Sequence, residues 1–129
     1  MIIDFNNIAE SVMPHFKGGE GDTVSRIYFD GLNNRRPPVE ASSEWSMRHS
    51  SMNRLGVGCT IGYHKHVGSS EVILITSGVA RCLYDDGEEM LTVGQVHYCP
   101  RGHSHSLINA STTEPLEYFA IVPEQLENA

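Results

Sequence analysis

His64 and His66 lie two residues apart in the stretch TIGYHKH. If that stretch is a strand, its side chains alternate faces, so the two imidazoles project from one face about 6.6 Å apart. Both can then reach one ion at about 2.0–2.1 Å. The run Val67-Gly68-Ser69-Ser70 reads as a turn that returns Glu71 beside them, and His105, after the breaker Pro100-Arg101-Gly102, must arrive from a distant strand. Three neutral imidazoles and one carboxylate form a nitrogen and oxygen donor set suited to iron, manganese, nickel, copper or zinc. Structural zinc sites usually show cysteine pairs at short spacing, and this chain has none. Glu71 also opens the apolar run EVILIT, where a carboxylate facing a core without a partner costs several kcal/mol. A bound ion removes that cost.

With those residues in view, the chain resembles the cupins. Gly58, His64, His66, Glu71 and Gly78 occupy every fixed position of the motif G-x5-HxH-x4-E-x6-G. Gly94, Pro100, Gly102, His105 and Asn109 do the same for its companion, G-x5-PxG-x2-H-x3-N. Residues 79–93 separate the two blocks, a short spacing similar to that of small microbial single-domain cupins. The resemblance implies a double-stranded β-helix, or jelly-roll barrel, around one six-coordinate divalent transition metal (Mn, Fe, Ni or Zn) held by His64, His66, Glu71 and His105. It also implies a homodimer, for which the apolar strands offer an interface. It implies no single reaction, because one fold carries many activities.

Four protein ligands on an octahedral ion leave two positions for water, substrate or dioxygen. One carboxylate against a divalent ion leaves a local charge near +1, which draws in a small anionic or enolisable oxygen ligand. The expected function is therefore a metal-dependent enzyme acting on a small polar or anionic metabolite, of oxygenase, isomerase or lyase type. The alternative is a non-catalytic metabolite-binding or sugar-binding module. The complete ligand set favours the enzyme; the lack of any separate catalytic constellation favours the module. Proton transfer would need a base, and His97 is the first candidate, with a tyrosine as substitute. Residues 95, 97 and 99 share one strand face, so His97 and Cys99 could approach the pocket, where His97 could hydrogen-bond a metal ligand or a substrate. His103 could gate exchange, although its place after Gly102 predicts exposure. Tyr63, Tyr84, Tyr98 and Arg81 are candidate lining residues, while Arg101 and His15 are expected at the surface.

The elements that must position these groups read as short strands. Residues 8–13 suggest a short helix ending before Pro14, followed by a glycine-rich loop over 17–22. Residues 23–30 read as a strand, and 33–44, polar with two adjacent prolines, as a loop of the kind that serves as lid or interface. Weak alternation over 45–54 puts Trp45, Met47 and His49 on one face, read as strand packing in preference to the alternative of a pocket wall. Residues 55–66 form the first motif strand, with Gly56, Gly58 and Gly62 suiting a bend or bulge. Residues 71–76 are expected to be buried on both faces. Strands at 79–84 and 88–93 form a hairpin in which Asp85-Asp86-Gly87 supplies a type I′ turn. Strands at 96–99, 104–108 and 116–122 follow, then a tail over 123–129. About eight or nine short strands and no long helical period predict one all-β domain over 1–129, with 1–22 as an N-terminal extension.

Composition narrows the partners. Nine basic against 16 acidic residues give a net charge of −7, and the basic residues are scattered, so no basic face is available for nucleic acid. A small molecule is the expected partner. No apolar run approaches the roughly 18 residues of a membrane span. Cys59, Cys82 and Cys99 are three thiols without close spacing, which suggests a reducing compartment. The start MIIDFNN reaches Asp4 before any apolar run of the length a secretory signal needs, so a cytoplasmic location is expected.

Overall fold

The computed structural model describes residues 1–31 and 46–123; the expected loop over 33–44, Trp45 and the tail beyond Pro123 lie outside the described residues. Within that range ten strands form two antiparallel sheets. They are β1 (Ser11–Pro14), β2 (Asp22–Asp30), β3 (Met47–Leu55), β4 (Thr60–Lys65), β5 (Glu71–Ser77), β6 (Ala80–Tyr84), β7 (Gly87–Leu91), β8 (Val96–Cys99), β9 (Ser104–Asn109) and β10 (Leu116–Pro123). One sheet has the order β1-β2-β3-β10-β5-β8 and the other β4-β9-β6-β7. Leu55, Ile73, Ile75, Leu116 and Tyr118 from the first meet Ile61, Ala80, Cys82, Leu91 and Leu107 from the second in a single core. Each large aliphatic side chain buried there contributes roughly 1.5–3 kcal/mol. This is the all-β, two-sheet barrel that the motifs imply.

Several local expectations are corrected. Residues 8–13 do not form a helix: Ser11–Pro14 is β1, with Val12 opposite Val24. So short a segment ending in proline cannot sustain an isolated helix, whereas the edge of β2 offers it a ladder. Residues 55–66 are not one strand either, because a turn at 56–59 with Gly58 at φ +79° separates β3 from β4. β5 is covered on one face only: Ile73 and Ile75 are buried, while Val72 and Leu74 are partly exposed on the outward face. The hairpin turn is Asp85-Asp86 rather than Asp-Gly, since Tyr84 pairs with Gly87 and, of these residues, only Asp85 has a positive φ (+49°). Asp85 is held there by its own N–H, which donates to the Ser104 carbonyl (2.9 Å), and by its carboxylate, which accepts from the Ser104 N–H (3.0 Å).

Residues 1–22 join the barrel. β1 extends the larger sheet, and the 3-10 turn Phe16–Gly18 crosses β4 at backbone contact. A Cβ on Gly62 would sit 1.9 Å from the Lys17 carbonyl oxygen, and one on Gly19 would sit 2.1 Å from that of Thr60. Only glycine fits either place.

Candidate metal centre

The crossing at Gly62 coincides with the feature that aims the site. β4 and β9 pair Ile61 with Leu107 and His64 with His105, so β4 carries one extra residue between the two pairs. A bulge of this kind reverses the alternation beyond it. Ile61 points into the core, Tyr63 is half exposed outside, and His64 and His66 face inward together with His105. Without the extra residue, Tyr63 and Lys65 would occupy the inward positions.

Glu71 enters at the first residue of β5. His66 Nε2 lies 2.9 Å from His105 Nε2, Glu71 Oε1 lies 3.1 Å from His105 Nε2, and the His66 Nε2 to Glu71 Oε1 distance is 3.5 Å. The His64 ring centroid is 5.1 Å from that of His66 and 4.8 Å from that of His105. One ligand atom from each of the four side chains lies within 4.8 Å of every other. Neighbouring donors on an octahedral ion at about 2.1 Å are roughly 3.0 Å apart, so the observed spacings fit such an ion.

The outer nitrogens favour the same conclusion. His64 Nδ1 lies 2.7 Å from the Gly62 carbonyl, which can only accept, so Nδ1 carries the proton and Nε2 offers a lone pair to the centre. His66 Nδ1 pairs with Ser69 Oγ at 3.0 Å. His105 Nδ1 lies 3.1 Å from His97 Nε2, and His97 Nδ1 lies 2.7 Å from Glu89 Oε1. If His105 Nε2 faces an ion, the chain has one consistent assignment: His105 Nδ1–H donates to His97 Nε2, and His97 Nδ1–H donates to the Glu89 carboxylate.

Protonation states agree with this arrangement. Burial lowers the His64 pKa, and the neighbouring His105 and His66 lower it further, against the Gly62 bond and Glu71. Burial works to raise Glu71, but hydrogen bonds from His105 and His66 outweigh it and bring the group down to about 2. The site thus keeps a neutral imidazole and an ionised carboxylate, the forms that bind metals. A second trio, Cys82, His97 and His105, also brings ligand atoms within 4.8 Å. Burial pushes the Cys82 thiol up to about 12, with Glu89 adding to it, so without an ion this trio holds a protonated thiol. Burial likewise raises Cys99 to about 12.

The four side chains face a cavity of about 360 Å³. His97 is not on its wall; it is buried behind His105. Cys99 is buried in the same layer, while Tyr63 and Tyr98 are half exposed outside. Tyr84 stacks on His103 and meets His97 edge to face, and Arg81 is paired with Glu88 at 2.6 Å. None of these lines the cavity. His103 is bonded to Asp85 at 2.5 Å, and Arg101 and His15 are exposed as expected. Residues missed from the sequence form the opposite wall: Thr23 and Ser25 on β2, Ser51 and Asn53 on β3, and Tyr118 on β10. His49, read as packing, is also on the wall. The available signal was the alternation Thr23-x-Ser25 and His49-x-Ser51-x-Asn53, strand faces that would be polar when turned inward.

A family profile described as the cupin domain (Cupin_2) matches residues 52–122. An oxalate-binding protein of Thermotoga maritima is 25% identical over 127 residues, covering 95% of this chain and 93% of its own. Among solved structures, one from Thermotoga maritima described as a predicted oxalate decarboxylase superposes with a TM-score of 0.80 at 22% identity, covering 96% of this chain and 99% of that one. YhhW from Escherichia coli superposes with a TM-score of 0.74 at 19% identity, over 97% of this chain and 51% of that one. At these identities the superpositions speak for the fold.

Proposed function

This chain belongs to the cupin family, and on that premise we propose that it binds one divalent transition metal through His64, His66, Glu71 and His105 and uses the site to hold a small carboxylate of the oxalate type. The convergence of the four ligand atoms, brought from both sheets to one place on the cavity lining, carries the reading. The near full-length likeness to an oxalate-binding protein supplies the ligand class. When bound, the ion supplies a positively charged Lewis-acid centre with positions left for ligand oxygens. The protein's own contribution is orientation: Gly62, Ser69 and the His97–Glu89 pair hold the outer nitrogens, so the inner ones converge before any ion arrives. His97 is thus a positioning residue for His105.

Titration calorimetry with Mn²⁺ and then oxalate tests this. One Mn²⁺ per chain is expected, with oxalate binding only to the loaded protein and both lost in His64→Ala. Equal oxalate binding to metal-free protein would overturn the reading.

The carboxyl of Asp30 and the imidazole of His49, side chains of the types used for proton transfer, lie on the cavity wall outside the ligand set and favour a second reading as a metal-dependent enzyme of oxygenase, isomerase or lyase type. Consumption of dioxygen or release of carbon dioxide from oxalate or hydroxy acids by the Mn²⁺ or Fe²⁺ protein would establish it. The homodimer is proposed on the outward face of the larger sheet, where exposed Val96 and Tyr98 adjoin Val72 and Leu74. A monomer in sedimentation at high concentration would remove it. The free thiols Cys59, Cys82 and Cys99 support a reducing, cytoplasmic location.

A further inference from the structure

The closing strand β10 alternates, with Leu116, Tyr118, Ala120 and Val122 buried and Glu117, Phe119 and Ile121 turned partly outward. Tyr118, Ala120 and Val122 line the cavity. Tyr118 is paired with Asn53 on β3 and with Ile75 on β5, and from Ile75 the inward face of β5 runs through Ile73 to Glu71. The tyrosine therefore stands on the same face of the sheet as the Glu71 carboxylate, one strand away.

Its ring packs in the core, a role that phenylalanine would fill equally. The hydroxyl of a buried tyrosine ordinarily finds a hydrogen-bond partner. Tyr118 is only 2% exposed, yet its hydroxyl bonds to none of the described residues. The strand neighbours do not supply a partner: Ile75 is apolar, and Asn53 Oδ1 already accepts from Ser25 Oγ at 2.5 Å and from Ser51 Oγ at 3.2 Å. A buried hydroxyl left in this way is destabilising unless something in the cavity completes it. Burial raises the Tyr118 pKa well above its usual range, and the Glu71 carboxylate raises it further. The proton therefore stays on the oxygen, which can donate but does not compete for an ion as a phenolate.

We infer that the Tyr118 phenol donates a hydrogen bond to an outer oxygen of the carboxylate held at the four metal ligands, and is thus a ligand-binding residue of that site. The outer oxygens of an ion-bound oxalate only accept and keep part of the negative charge. A phenol O–H meets them in a charge-assisted bond, about twice as strong as a neutral one. This inference rests on the metal and carboxylate reading above and adds to it the group that senses the ligand's far side.

The test is Tyr118→Phe, which keeps the ring and removes the hydroxyl. In calorimetry its Mn²⁺ affinity should equal that of the wild type, while the oxalate affinity of the Mn²⁺-loaded protein should fall about tenfold or more. The melting temperature of the ligand-free variant should be no lower than that of the wild type, because the lost hydroxyl has no protein partner to abandon. A structural tyrosine behaves in the opposite way. A lowered melting temperature with oxalate binding per folded chain unchanged, or a variant that does not fold, would overturn the inference. So would an equal fall in Mn²⁺ and oxalate affinity, which would place the effect on the metal ligands. In each of these cases the wild type still binds Mn²⁺ and oxalate, and the reading of the site stands. A Mn²⁺-loaded wild type that does not bind oxalate would remove both.

Discussion

Two walls of one cavity, both made of antiparallel strands, carry different chemistry. On β4, β5 and β9 the inward groups are imidazoles and a carboxylate, and the ring nitrogens of His64, His66 and His105 that face away from the centre are anchored to Gly62, Ser69 and His97. On β2 and β3 the inward groups include the hydroxyls of Ser25 and Ser51 and the amide of Asn53, bonded to one another, with His49 Nε2 2.8 Å from Ser51 Oγ and Asp30 and Arg48 further along the same strands. The first wall is organised around a common point, where the inner nitrogens of His66 and His105 and a Glu71 oxygen stand 2.9 to 3.5 Å apart. The second is largely self-satisfied, with Thr23 as its exception. The difference teaches that the imidazoles and the carboxylate converge at a single point where one ion can neutralise them, while the charged groups elsewhere on the wall, among them Lys17, Asp30, Arg48 and Lys65, are spread around it.

The largest effect that bears on this contrast is His105→Ala. It removes a ligand from the first wall and should lower Mn²⁺ affinity by about 100-fold or more, beyond the ~10–100-fold typical of residues behind the ligands. Retained affinity in calorimetry would mean that the two walls do not differ in kind. Next is His97→Phe, which keeps the ring volume but leaves His105 Nδ1 without its acceptor; a loss of about 10-fold to 100-fold is expected, with His97→Gln recovering part of it. Equal losses in both variants would point to packing instead. Asn109→Ala sharpens the contrast within β9. Its amide donates to the Leu55 and Glu114 carbonyls at 3.0 and 2.9 Å, and its oxygen accepts from the Ser111 N–H. Losing it should cost about 1–3 kcal/mol of stability in denaturant unfolding and leave the metal affinity per folded chain unaltered.

The smallest effect is the pH dependence of the metal-free protein. Folding lowers the pKa of His64 and of His97, chiefly through burial. The unfolded chain therefore binds protons first, near pH 6.5, and stability present above that value is lost as the pH falls below it. Glu71, at about 2 when folded against an ordinary 4.5, adds stability above about 4.5 that is lost as the pH falls toward 2. A melting temperature that declines by several degrees between pH 7.5 and 5 is expected, and Mn²⁺ retention should fall over the same range as protons compete for the imidazoles. A flat profile would count against burial of these rings.

Much of the first wall was legible in the sequence because its residue types are rare and their spacing is constrained by strand geometry. His64, His66, Glu71 and His105 are brought together as that spacing requires. The bulge was only half legible: Gly62 suggested one, but the Lys17 carbonyl that lies against it belongs to a segment read only as a glycine-rich loop, with no sign that it would cross β4. His97 could be placed on a strand face, yet which layer that face meets depends on how two sheets stack. The second wall was not read because serine, threonine and asparagine are common on strands and become informative only when the face they occupy is known to turn inward. Tyr118 was hidden in the same way, as one aromatic residue in an apolar closing strand.

The central claim is that four side chains, distant in sequence, bind one ion together. Crystals of the Mn²⁺-loaded protein, measured for anomalous scattering from manganese, address it most directly. The account predicts one strong peak per chain, about 2.0–2.3 Å from His64 Nε2, His66 Nε2, His105 Nε2 and a Glu71 oxygen. A peak elsewhere, or one bound without His105, would contradict it.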